Sequence, residues 1–236
     1  NGMNNPDLNC GEGLIFRSTI DTSITALSHV TIDGAYGYPS YIQSSAEFAY
    51  AAITFDGASF TADNLNFNNV NTSSVVAFNL AAPLLEDSTF ALGSDGEGWH
   101  AAAVRTFGAG AGILSTFILQ NSVFTGDSSA ECGRNEDGRS LITAADSYID
   151  MNTLTLSENS YGLFLKGSSG QFTNSQVSVK CNGVDTNGHK STGDISHTLW
   201  VHNNTIITEE GAPLTAYDQA IVNANDNLLS GASEGS

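Results

Sequence analysis

Asn152-Thr-Leu-Thr-Leu156 and, 22 residues on, Asn174-Ser-Gln-Val177 share one pattern: an Asn able to bend the chain, with an apolar residue soon after it. Asn tolerates the left-handed backbone conformation and hydrogen-bonds its own turn, so it suits a tight bend between two strands. Five further stretches repeat the pattern: Asn64-Leu-Asn-Phe67, Asp87-Ser-Thr-Phe90, Asn121-Ser-Val-Phe124, Asn204-Thr-Ile-Ile207 and Asn227-Leu-Leu229. Short apolar strands precede several of them, as with Ile118-Leu119, Phe172 and Leu199-Trp-Val201.

The seven turn positions are separated by 23, 34, 31, 22, 30 and 23 residues. The shorter spacings predict a minimal coil of 22–23 residues, and the longer ones the same coil carrying inserted loops. A short repeat cannot bury an apolar face alone, but stacked repeats share a continuous core, and stacked Asn turns bond one another as a ladder. The fold expected is therefore all-β, a single right-handed parallel β-helix, with residues 1–26 leading into coils stacked over 27–230. The competing β-sandwich needs tight turns between matched alternating strands. Asp33-Gly34, Asp56-Gly57 and Asn182-Gly183 do not lie between such runs.

Composition agrees with strands and turns. Only 14% of the 236 residues are charged, 40% are hydrophobic and 24 are Gly. Seven basic residues face 25 acidic ones, a net charge of −18, which repels nucleic acid and anionic membrane surfaces. Calcium, cationic surfaces and neutral glycans are the better matched partners. No apolar run reaches the roughly 18 residues of a membrane-spanning helix, so no transmembrane segment is expected. Three cysteines, Cys10, Cys132 and Cys181, form no CxxC pair. The chain starts at Asn1 without Met or a signal pattern, and we expect a piece of a longer protein.

The Asn-turn coils, low charge and Gly-rich strands resemble the passenger regions of bacterial autotransporter adhesins over residues 27 to 230. The likeness is architectural, and the Gly-Gly-Ala-Ile and Phe-x-x-Asn repeats of the polymorphic outer-membrane proteins are not repeated here. It implies a secreted or surface-held, non-catalytic binder of a host or neighbouring-cell glycan or protein, or a self-associating one.

Function in such a solenoid is expected on the insertions, at 93–112, 127–139 and 181–194. In the first, Asp95 and Glu97 alternate with glycines, a weak calcium pair, and Trp99 beside His100 offers a platform for a sugar or peptide. In the third, Asp185, His189 and Lys190 are ligand-binding candidates. The second and third each follow the strand after a turn Asn, so both are expected on one side of the solenoid. They lie two coils apart, roughly 10 Å at a strand spacing of about 4.8 Å, which loops can close to disulfide distance. A Cys132–Cys181 disulfide is therefore expected, and with it an oxidising, extracytoplasmic compartment.

Many parallel β-helices cleave polysaccharides, and Gly183-Val-Asp185-Thr-Asn-Gly-His189-Lys190 resembles in part the Asn-Thr-Asp and Gly-His-Gly motifs of polygalacturonases. Lys190 stands where Gly is expected, no Asp-Asp pair follows on a neighbouring coil, and Arg-x-Lys is missing. No catalytic residue is assigned. A lyase or hydrolase, or a phage tailspike section, is the alternative. His29, His197 and His202 are read as solvent-facing or turn-capping residues, and Trp200, on the same face as His202, as ordinary strand surface.

Overall fold

The computed structural model describes residues 14–17, 24–28, 31–33, 51–56, 59–63, 65–70, 73–78, 82–92, 102–108, 115–126, 132, 140–188 and 197–232. Among them there is no helix, and 24 strands form three eight-stranded sheets in which every pairing is parallel. The chain visits the sheets in strict rotation, here A, B and C, so each circuit is one coil of a right-handed parallel β-helix. Coil 5, for example, consists of Ser140–Ala145, Ser147–Asn152 and Thr155–Ser157. The stack already begins at Leu14, paired with Ile53, inside the stretch expected only to lead into it.

Alternate side chains of each strand point inward and stack on their counterparts in the next coil. Sheet A contributes the column Val75, Val104, Ile142, Leu163 and Val184, all 0–1% exposed. The steps from Ile142 to Leu163 and from Leu163 to Val184 are 21 residues each, slightly tighter than the coil predicted. Sheet C contributes Phe67, Phe90, Phe124, Leu156, Val177 and Ile206. The first three rings are stacked at 5.1 and 4.6 Å between centroids. Each fully buried Phe stabilises the coil by roughly 1.5–3 kcal/mol.

A single residue in the left-handed region turns the chain from sheet B to sheet C. Asp87, Asn121 and Asn174 hold it where expected, at φ of 49°, 48° and 53°. In three coils the expected turn residue is displaced by one. Thr153 turns instead of Asn152, Asn203 instead of Asn204, and Asp226 instead of Asn227. The residue after each turn points inward, which explains why Asn204, buried to 2%, is not itself the bend.

These inward residues form a buried polar ladder. The Leu65 N–H donates to Ser88 Oγ, the Ser88 N–H to Ser122 Oγ, and the Leu154 N–H to Ser175 Oγ. The Ser175 N–H donates to Asn204 Oδ1 and the Asn204 N–H to Asn227 Oδ1. A second, exposed ladder of the kind expected for Asn runs beside it. Asn174 Nδ2 donates to Asn152 Oδ1 and Asn203 Nδ2 to Asn174 Oδ1, both at 2.8 Å. Between sheets A and B, Asp146 and Gly167 make the bend, and Ser147 and Ser168 line its inner side.

The insertions are placed differently from expectation. Only 127–139 lies within one connection, between the sheet C strand Val123–Thr125 and the sheet A strand Ser140–Ala145. The stretch 93–112 contains the strand Val104–Phe107, and 181–194 contains Val184–Asn187. Each of these is split between two different corners of the helix. The reason is physical: both strands turn Thr inward, Thr106 and Thr186, where an apolar residue marks the other coils.

Candidate functional site

The three outward faces differ sharply in how open they are. On sheet A the outward residues Val76, Thr143, Phe164 and Asp185 are 1–4% exposed, Arg105 between the first two is half-buried, and the face opens toward Lys166 and Tyr217 at the strand ends. Sheet C is open but bears mostly Thr and Ser, with Val123, Ile207 and, in its end strand, Leu228 and Leu229 as exposed apolar residues. Sheet B is open and carries aromatic rings: Tyr148 is 45% exposed and Trp200 46%.

Trp200 lies in the strand Thr198–His202 of coil 7, between Gln171 of coil 6 and Asn223 of coil 8. Leu199 and Val201 point into the core, which directs Thr198, Trp200 and His202 outward. The indole of Trp200 and the imidazole of His202 stack with planes 6° apart and centroids 5.9 Å apart. Next to them, Gln171 Nε2 donates to Asp150 Oδ1 at 2.8 Å, fixing the amide and the carboxylate across adjacent strands. Tyr148 stands two strands from Trp200. The result is a strip of aromatic rings, amides and one carboxylate across four neighbouring strands. Such a strip can stack against one ligand surface and hydrogen-bond another.

Tyr217, Ile221, Leu228 and Leu229 are also open, and all four belong to coil 8, the last coil among the described residues. Trp200 and Tyr148 differ, since both lie in strands paired on either side.

Of the residues singled out in the sequence, Asp95, Glu97, Trp99, His100, His189 and Lys190 lie outside the described residues. Asp185 is described and is 1% exposed. Its carboxylate accepts both contacts of Asn182 Nδ2 at 3.2 Å and a hydrogen bond from Thr215 Oγ1, so it ties coil 7 to coil 8. Cys132 and Cys181 form the expected disulfide, with Cα atoms 5.6 Å apart. His197, expected to face solvent or cap a turn, is 8% exposed at the inner side of the A–B corner. Among the described residues no group of three His, Cys, Asp or Glu side chains could hold a metal ion. Among them also, no helix is long and apolar enough to cross a membrane.

The Trp200 strip was not identified from the sequence. The i, i+2 spacing of Trp200 and His202 was visible, but Gln171, Asp150 and Asn223 join them only through the cross-strand register. Comparison with protein-family models, with curated proteins and with solved structures finds no match to this chain.

Proposed function

We propose that this chain is a non-catalytic, adhesin-type β-helix, secreted or held at a cell surface. It binds a glycan or protein of a host or neighbouring cell through the open face of sheet B. The observation that carries the reading is the exposed Trp200–His202 stack on a sheet braced from both sides. Contiguous exposed aromatic surface is unusual away from interaction sites, and Trp and Tyr dominate binding energetics because they pair large area with few rotors. The disulfide fits an oxidising, extracytoplasmic setting.

Catalysis by the third insertion draws no support from Asp185. Inverting hydrolysis uses two carboxylates about 6.5–9.5 Å apart with room for water between them. Asp185 instead is closed off and engaged by Asn182 and Thr215.

The test compares binding of three proteins to intact cells, a glycan array and immobilised extracellular proteins. These are the native chain, a Tyr148→Ser/Trp200→Ser double variant of sheet B, and a Val123→Ser/Ile207→Ser control on sheet C. Binding lost with the sheet B variant and kept by the control supports the proposal. Equal binding by all three overturns it, as does chain cleavage of any polysaccharide on the array.

A further inference from the structure

We infer that Trp200 anchors a saccharide subsite for an uncharged oligosaccharide crossing the strands of sheet B, an inference that rests on the binding role of sheet B proposed above. Three features of the strip select this chemistry. The first is a half-exposed indole already held by a neighbour. Stacking on His202 at 5.9 Å restricts the Trp200 rotamer before any ligand arrives, which lowers the entropy lost on binding. The negative face of an indole attracts the weakly positive C–H face of a pyranose ring.

The second feature is what flanks the ring. Gln171 precedes Trp200 in the same outward column and Asn223 follows it, each one strand away. Carboxamides both donate and accept, as sugar hydroxyls do. Asp150 already accepts from Gln171 Nε2, which orients that amide and leaves its carbonyl oxygen to face a donor. A peptide ligand pairing with a sheet would need an unpaired strand edge, and the strand Thr198–His202 is paired on both sides.

The third feature is spacing and charge. Tyr148 stands two strands from Trp200 and two residues aside along the strand, since Asp150 is in the Trp200 column, roughly 12 Å away at about 4.8 Å per strand and about 3.3 Å per residue. A chain laid obliquely across the strands, from Trp200 past Gln171 toward Tyr148, therefore meets a ring at each end and polar groups between. Asp150 is the one acid among these residues, and the whole chain carries −18. An acidic polysaccharide is repelled on both counts.

The chain has two tryptophans, so a Trp99→Phe variant leaves Trp200 as its sole indole fluorophore. This protein is titrated with tetrasaccharides of β-linked glucose, galactose, mannose and N-acetylglucosamine, and with tetragalacturonate, and calorimetry repeats the series on the native chain. At least one neutral tetrasaccharide should perturb Trp200 emission saturably. Trp200→Ala should weaken that binding about tenfold or more, with Trp200→Phe recovering part of it, and Asn223→Ala should weaken it about three- to tenfold. Far-UV circular dichroism and melting of each variant should match the native protein, since the altered groups are outward. Failure of every neutral sugar, or tighter binding of tetragalacturonate, overturns the inference. If sheet B still binds a protein ligand on cells in that case, only the saccharide assignment falls. Loss of all sheet B dependence on cells removes the binding role itself.

Discussion

Asn204 Oδ1 accepts the backbone N–H of Ser175 at 2.8 Å, while the Asn204 Nδ2 donates to the Phe172 carbonyl at 3.0 Å and to Asn227 Oδ1 at 3.0 Å. One buried side chain thus satisfies groups in the coils on both sides of its own. Ser88, Ser122 and Ser175 do half of this work, since each Oγ accepts from the coil before and donates back to a carbonyl two residues earlier in its own coil.

Replacing Asn204 by Leu should therefore destabilise the chain by about 2–4 kcal/mol, because the Ser175 N–H and the Phe172 carbonyl are left without these partners. Leu154 occupies the equivalent place two coils away, so the site accepts leucine sterically. Asn204→Ser keeps an acceptor and should cost less than half as much. Urea midpoints of the two variants check the order, and a Leu variant as stable as the Ser variant contradicts it.

Thr153 turns from sheet B to sheet C at φ 56°, where a β-branched side chain crowds its own backbone. Left-handed backbone costs an ordinary L-residue roughly 1–2 kcal/mol, and Asn much less. Thr153→Asn should stabilise the protein by about 1 kcal/mol and raise its melting temperature by about 2–4 °C. The exposed Thr153 Oγ1 bond to Asn152 is lost, but water replaces it. A lowered melting temperature in calorimetry would show that the strain is not where the backbone places it.

Alkylation of the native chain in denaturant without reductant should label no more than one of its three cysteines. The Cys132→Ser/Cys181→Ser variant should lose about 2–4 kcal/mol of stability, as closing a 49-residue loop predicts. Three labels per chain in mass spectrometry would disprove the bridge.

The turn between sheets B and C was readable because Asp and Asn suit the left-handed bend, and Asp87, Asn121 and Asn174 mark it faithfully. Where two polar residues adjoin, as at Asn203 and Asn204, composition does not say which one bends and which one turns inward. The disulfide was readable because a whole number of coils separates its cysteines. The strands Val104–Phe107 and Val184–Asn187 were hidden by the inward Thr106 and Thr186. The Trp200 strip was hidden for another reason. Its members come from four strands up to about 75 residues apart in sequence, from Tyr148 to Asn223, and only the register of sheet B aligns them.

The inner ladder has one gap, for Leu154 offers Ser122 no side-chain acceptor. The Cys132–Cys181 bridge spans this same region, joining the connection after coil 4 to the one after coil 6. In mechanical terms it acts as a load bypass. A pull on the two ends of the solenoid can peel coils from either side, yet the 48 residues between the cysteines stay out of the line of tension while the bridge is intact. Their extended length would be roughly 160–180 Å, so oxidation sets how far the chain stretches under shear as well as how firmly it folds.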